Sequence, residues 1–434
     1  MPVPEPQPWR VALFTDTFDE VSGVGHTFRL LADHCERRGI ELDVFTVTTA
    51  PSSLERRGTV CVHRLQPRVP FSYYPGLFLD LMPLDDTALT EARGRPYDVI
   101  HIATPGHMGV TGLYLAARQG VPTIGSYHTE FPQYIVQRLN NWLGDDYTDD
   151  PDAVAYVEEF ALRLAWEFLA GFYNRCEKVL VPSEATHRSV AEHLRVPIER
   201  FERGVDTDLF SPRRRMRPAD APVRVLYVGR LAVEKNLAWL VAFGQAQPDC
   251  ELVIVGDGPE RAGLELELPR ARFAGVLQDE ELAQAYADAD VFACPSLTET
   301  FGNVVLEAQA SGLPAVVGHL GGPREIIAPG ESGLVADSAE SFVAHLQALV
   351  TNAERRRAMA VAARRRAEQR RWDDVFARLF AQYATVLYPP GRRSWRRFLR
   401  RLEESDHPLA VGLVSFWKQF GRRREARARQ QAQP

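Results

Sequence analysis

The chain has 434 residues, 45% hydrophobic, 10% aromatic and 25% charged, a globular composition that excludes a disordered chain, a collagen-like repeat and a disulfide scaffold. One core rarely grows beyond roughly 250–300 residues, so two domains are expected. With 51 Lys/Arg against 57 Asp/Glu the net charge is −6, which gives no global reason to expect a nucleic-acid partner.

The opening MPVPEPQPWR is proline-rich and has no apolar core region, so it does not read as a signal peptide. From Val11 onward, short β-branched runs alternate with longer amphipathic segments. Strands are expected near Val11–Phe14, Leu42–Val47, Val99–Ala103, Thr123–Tyr127 and Val179–Val181, each followed by a polar or glycine-bearing loop and a helix, which makes an open parallel α/β domain. In the first loop, DTFDEVSGVGHT, Gly23 and Gly25 are expected to precede a helix starting near Thr27. Ser211–Pro222, SPRRRMRPADAP, reads as a solvated linker because its prolines and arginines cannot extend a core element.

A second series follows at Val223–Val228, Leu252–Val255, Val291–Ala293 and Ala315–Val317. Phe342 to Tyr388 reads as helical, with the arginine triplets 355–357 and 364–366 on solvated faces. The last segment, 391–434, holds 12 Lys/Arg against 4 Asp/Glu, a local +8 that leaves about −14 on the other 390 residues. Trp395, Phe398, Leu399 and Leu402 recur there at helical spacing opposite arginines, as do Leu409, Leu413, Phe416 and Phe420. Such a basic, aromatic-faced helix suits an anionic bilayer surface; the same stripes could instead pack on the first domain. No run approaches the roughly 18 apolar residues of a membrane span. The five cysteines are scattered and form no CxxC pair, which fits a reducing compartment.

Open parallel sheets bind ligands beyond the carboxyl ends of their strands, at helix N-termini. In the first such loop, Gly23 and Gly25 allow close approach of an anion, but Phe28 stands where a dinucleotide fingerprint needs its third glycine, which weighs against an NAD enzyme. In the second half, YVGRLAVEKN places Arg230 and Lys235 after a strand. The two cations suit a diphosphate, although a surface ion pair with Glu234 would use the same residues. In ETFGNVVLEA, a helix starting near Gly302 puts Glu307 in its second turn and Glu299 before its start. Both carboxylates can then border the free amides of Phe301, Gly302 and Asn303 and accept hydrogen bonds from sugar hydroxyls. Glu299 can equally be a simple helix cap.

The SGV loop, SYHTE at 126–130, RGVDTDLFSP at 203–212, GRLAVEKN, VGDGP at 255–259 and ETFGNVVLEA, in this order, resemble the family-four retaining glycosyltransferases over roughly residues 10–388. The likeness is greatest to the bacterial branch with GDP-mannose-dependent mannosyltransferases and sulfoquinovosyl-lipid synthases. It implies a GT-B fold, α/β with two Rossmann-like domains facing across a cleft. The first domain would span 9–210, completed by about 373–390 through a last helix at Trp372–Leu387 that crosses back. The second would span 211–372.

By the same resemblance Arg230 and Lys235 neutralise the donor's diphosphate, Glu307 holds the ribose, and Glu299 faces the sugar with the amides of Phe301, Gly302 and Asn303. His128 lies near the sugar's C6 hydroxyl; on the residues alone it would read as structural. Gly23 lies beside the diphosphate and Leu277 holds the base through its main chain. The departing phosphate oxygen then takes the acceptor's proton during same-face attack.

This chain has Ser22–Gly23 where many relatives have two glycines, and Arg203 where asparagine is common. Asp288-x-Asp290 matches a metal-binding DxD only in text, since it precedes a strand rather than following one, and no metal is expected. The expected reaction is transfer of a hexose, mannose favoured, from a nucleotide diphosphate sugar (GDP-mannose or a UDP-sugar) to a lipid-linked or glycan hydroxyl. No tightly bound cofactor is expected. The expected location is the cytoplasm, on the inner face of the cytoplasmic membrane. The alternatives are a UDP-sugar transferase with a soluble acceptor, a GT-B epimerase or phosphorylase, and a non-catalytic sugar-nucleotide scaffold.

Overall fold

The computed structural model describes residues 9–387 except Val21, 67–71, 75–76, 79–95, 133–134, 137–150, 219 and 248–249. The basic segment 391–434 therefore lies outside the described residues. Strands β1 (Arg10–Phe14), β2 (Glu41–Val47), β3 (Ser53–Arg57) and β4 (Val60–Leu65) come first, then a short ladder of β5 (Ser72–Tyr74) and β6 (Leu77–Phe78). After these come β7 (Val99–Ile102), β8 (Thr123–Ser126), β9 (Lys178–Val181) and β10 (Ile198–Arg200). Apart from the β5–β6 ladder they form one sheet in the order β10-β9-β8-β7-β1-β2-β4-β3, parallel except for the β3–β4 hairpin. Every residue of β7, β8 and β9 is buried, as expected for strands covered on both faces. The β3 sequence SLERR is mostly exposed. It has no apolar run to announce a strand, and its charges suit a sheet edge.

The helices of this half are α1 (Gly23–Arg38), α2 (His107–Gln119), α3 (Pro151–Tyr173) and α4 (Glu184–Ala191). The second half contains β11 (Arg224–Val228), α5 (Ala238–Ala246), β12 (Glu251–Val255), α6 (Arg261–Glu267), β13 (Arg272–Gly275) and α7 (Asp279–Ala287). It continues with β14 (Val291–Cys294), α8 (Asn303–Ala310), β15 (Ala315–Gly318), α9 (Pro323–Ile326) and β16 (Gly333–Ala336). Its all-parallel sheet runs β13-β12-β11-β14-β15-β16. The strand order reverses at β1/β7 in the first sheet and at β11/β14 in the second, which makes these the two crevices where a doubly wound sheet holds ligand.

Helices α10 (Ala339–Thr351), α11 (Ala353–Ala367) and α12 (Trp372–Leu387) end the described chain. Helix α12 spans the expected residues and returns to the first half. Its Val375, Phe376, Leu379 and Tyr383 are buried with α1 and the first sheet, at roughly 1.5–3 kcal/mol for each fully buried apolar side chain. Lys178 Nζ, at the start of β9, donates to Gln382 Oε1 at 2.7 Å and Thr385 Oγ1 at 2.9 Å. The two halves also touch directly. The Glu325 carboxylate of α9 accepts the first amides of α4, from Glu184 at 2.8 Å and Ala185 at 2.7 Å, so a side chain of one half caps a helix of the other.

Three expectations are corrected. Helix α1 begins at Gly23, not near Thr27, because Ser22 acts as its N-cap and accepts from Gly25 N at 3.1 Å; both glycines lie inside the first turn. The linker is not merely solvated. Arg215 donates to Ala289 O at 2.7 Å and Asp290 at 3.0 Å, and Arg217 to Glu251 at 2.6 Å. Asp288 accepts the amides of Met216 and Arg217 at 2.8 and 2.9 Å. The DxD aspartates thus fasten the linker to the second sheet. The arginine triplets also do more than face water. Arg356 donates to Leu349 O at the end of α10 at 2.7 Å, and Arg364 to Thr207 O, Phe210 O and Ala310 O at 3.1, 2.8 and 2.5 Å.

Candidate active site

The loop after β11 is held by backbone contact with the loop after β12. Leu231 N donates to Asp257 O at 2.9 Å, and a Cβ at Gly256 would lie 1.9 Å from Gly229 O; only glycine permits that approach. Arg230 is exposed on this loop, and Tyr227 donates its hydroxyl to Arg230 O at 3.0 Å. A 3-10 turn, Val233–Lys235, then points the chain toward the loop after β14, and the two are joined at several points. Thr298 Oγ1 donates to Glu234 O at 3.0 Å and Asn236 Nδ2 to Pro295 O at 3.1 Å. Lys235 Nζ donates to Glu299 Oε1 at 2.6 Å. Lys235 and Glu299 thus form a largely buried pair between two candidate site residues.

Helix α8 follows Gly302, which sits in the left-handed region at φ 95° with Pro323 Cγ only 2.9 Å from a would-be Cβ. This N-terminus has no side-chain cap, so its opening amides suit an external oxygen ligand. Phe301 is buried beneath it, and Asn303 Oδ1 is buried without a hydrogen-bond partner among the described residues. Gly23 lies opposite, its would-be Cβ 2.8 Å from Asn303 Nδ2. The positive ends of α1 and α8 consequently meet across the cleft, an arrangement that favours an anion between them.

From the first half, His128 follows β8. It is buried between Phe28 and Phe201, with ring centroids 5.4 and 6.3 Å away. Its carbonyl accepts from Thr300 Oγ1 at 2.7 Å, which ties it to the loop carrying Glu299. Burial, then the Arg203 guanidinium, then His101 push its pKa well below the usual imidazole range, which favours the neutral ring. Its Nδ1 accepts from Arg203 Nη2 at 2.8 Å, while Nε2 is buried without a partner among the described residues.

Glu307, in the second turn of α8, accepts a hydrogen bond from Tyr286 OH on α7 at 3.0 Å. Desolvation raises its carboxyl to about 7 against the opposing effect of that hydroxyl. Leu277 lies just beyond β13 at the sheet edge, half-buried against the core that contains Tyr286 and Val305. The structure thus joins Lys235 with Glu299 directly, Gly23 with Asn303 closely, and His128 with the 299–303 loop through Thr300. Leu277 stands apart from these contacts, at the sheet edge. Three contributors escaped the sequence reading: Arg203, noticed only as a departure from asparagine, Tyr286, whose hydroxyl nothing local marks as polar and buried, and Glu325, whose partner helix is 140 residues away. Among the described residues no cluster of three or more His, Cys, Asp or Glu is arranged to hold a metal ion.

Residues 21–209 match the family described as Glycosyltransferase Family 4, and residues 222–352 match Glycosyl transferases group 1. A GDP-mannose-dependent alpha-mannosyltransferase of Mycolicibacterium smegmatis is 36% identical over 402 residues, covering 89% of this chain and 99% of the relative. The chain is a family-four glycosyltransferase. It is a retaining hexosyltransferase, as the family is. The sulfoquinovosyl transferase SQD2 of Arabidopsis thaliana is 32% identical over 394 residues, covering 84% of this glycosyltransferase and 71% of the relative. Among solved structures, sucrose-phosphate synthase from Thermosynechococcus elongatus superposes with a TM-score of 0.71 at 22% identity, over 87% of this chain and 98% of the other. HepE of Anabaena, solved with UDP and glucose, gives 0.65 at 18% identity, over 87% and 100%. These likenesses establish the GT-B fold for this glycosyltransferase.

Proposed function

We propose that this enzyme transfers mannose from GDP-mannose, with retention, to a hydroxyl of a membrane lipid or lipid-linked glycan. The observation that carries this reading is the Lys235–Glu299 pair beside the uncapped N-terminus of α8, opposite Gly23. Support for mannose comes from relatives named GDP-mannose-dependent alpha-mannosyltransferase that match almost from end to end.

In this reading residues 9–210, completed by 373–390, form the acceptor side and 211–372 the donor side. Cleavage of the sugar–phosphate bond leaves a diphosphate anion and an oxocarbenium-like sugar. Arg230, Lys235 and the paired helix N-termini stabilise the anion, the largest effect a preorganised site can supply. Glu299 and the amides of Phe301, Gly302 and Asn303 hold the sugar, Glu307 the ribose and Leu277 the base. Phosphate oxygen accepts the acceptor's proton as the new glycosidic bond forms on the same face.

The test is a donor panel on the purified full chain. GDP-mannose at a hundredfold its Kd should stabilise the protein by about 2.7 kcal/mol, a rise of several degrees in Tm, and be slowly hydrolysed. Stabilisation by UDP-glucose alone would instead support the UDP-sugar reading. No described helix is long and apolar enough to cross a membrane, so a lipid acceptor would be met at the bilayer surface. Deleting residues 391–434 should lower co-sedimentation with vesicles containing anionic lipid; unchanged sedimentation would remove that segment from the membrane role.

A further inference from the structure

Arg203, on the loop after β10, is 4% exposed, and among the described residues it has no carboxylate partner. Nη1 donates to Phe201 O at 2.8 Å and more weakly to Glu202 O at 3.4 Å. The guanidinium lies over the Phe201 ring, 4.8 Å from its centroid. Its remaining described contact is the 2.8 Å hydrogen bond from Nη2 to His128 Nδ1. A buried cation is costly unless it is satisfied, and this one is satisfied by carbonyls, a ring face and an imidazole lone pair. Such an arrangement fixes the imidazole as well. A guanidinium has five donors and no acceptor, so Nδ1 must carry its lone pair, and a proton there would set two N–H groups head to head.

We infer that Arg203 is a positioning residue that holds His128 as the neutral tautomer with its proton on Nε2, so that His128 offers the donor sugar one hydrogen-bond donor and takes up no proton during transfer. Two further observations agree with this. His128 Nε2 is buried and has no partner among the described residues, as expected of a donor aimed at a ligand. The titratable groups facing His128 are Arg203 and His101. The His101 nitrogens are engaged with Tyr383 OH at 2.7 Å and Ser126 Oγ at 2.6 Å, so His101 does not compete for the His128 proton. The proton balance follows. As the sugar–phosphate bond breaks and the bond to the acceptor oxygen forms, the acceptor's proton goes to the departing phosphate oxygen and not to His128. The tautomer follows from the protein alone; only its task at the sugar rests on the proposed reaction.

Uniformly 15N-histidine-labelled full-length protein tests this, with the His128 signals assigned by their loss in H128Q. The unliganded wild type should show a protonated Nε2 and an unprotonated Nδ1 from about pH 5.5 to 8, the range an ordinary imidazole crosses. R203M should show mixed tautomers and a titration within that range, and R203K should keep the wild-type pattern. With GDP-mannose, R203M should raise donor KM about tenfold, the upper range for one lost hydrogen bond, with a smaller fall in kcat. A proton on Nδ1, a doubly protonated His128 at neutral pH, or R203M with wild-type tautomer and KM would overturn the inference. Should R203M not fold, the wild-type spectrum decides. If neither GDP-mannose nor UDP-glucose is turned over, the proposed reaction falls while the tautomer result stands.

Discussion

Lys235→Ala should lower kcat by roughly 10²–10³, the usual loss when one preorganised charge stabiliser is removed from a leaving group, while the protein stays folded. Lys235 sits in a turn held by backbone and by the Thr298 and Asn236 side chains, so truncation leaves the loop in place. What disappears is the ammonium, together with the partner of Glu299. The pair is largely buried, with side chains 15% and 26% exposed, so removing the ammonium from beside Glu299 should cost about 1–3 kcal/mol of stability. Far-UV circular dichroism should be unchanged and Tm within a few degrees. Glu299→Ala should be comparably inactive, because the ammonium then loses this partner and, in the proposed reaction, the sugar loses its carboxylate. Near-normal turnover in either variant would refute the placement of the donor.

Donor affinity should fall as the pH drops below about 7, and Glu307→Gln should abolish that dependence. Burial raises the Glu307 carboxyl from its ordinary 4.5 to about 7, and in the proposed reaction ribose hydroxyls donate to it and so favour the ionised form. Kd should therefore approach a tenfold rise per pH unit below 7 in the wild type. At pH 8 Glu307→Gln should bind the donor roughly ten- to a hundredfold more weakly, the range for hydrogen bonds to a charged group. Stability runs the other way. With the folded pKa raised, the carboxyl's contribution is complete below pH 4.5 and is lost as the pH climbs through about 7. Glu307→Gln should raise the Tm of the unliganded enzyme at pH 8 and leave it nearly unchanged at pH 4.5. Asp16, also raised to about 7 by burial, adds the same slope to both proteins and cancels in the difference. A pH-independent donor Kd in the wild type would remove Glu307 from the ribose.

The strands that line the two crevices were legible because they are buried on both faces and so are apolar without interruption, as in VALF and VFAC. Strands at the sheet margins, such as SLERR and IER, were not legible, because an edge strand satisfies its backbone with a polar sequence. The Gly302–Glu307 spacing placed both carboxylates correctly relative to α8, since helix geometry is local. The partner of Lys235 was not readable: Glu299 is 64 positions away, and only the β11/β14 pairing brings the two loops together. The linker arginines failed for the same reason, since nothing in SPRRRMRP announces that Asp288 and Asp290 await it.

The Thr300 hydroxyl grips the carbonyl of His128, and the Glu325 carboxylate grips the start of α4. The chain crosses between the halves where Val205 N meets Arg370 O at 2.9 Å. Any parting of the two halves must therefore unfasten the loops that carry the candidate site residues. If the proposed reaction ends with such an opening, discharge of one product and dismantling of the reaction chamber would be a single event.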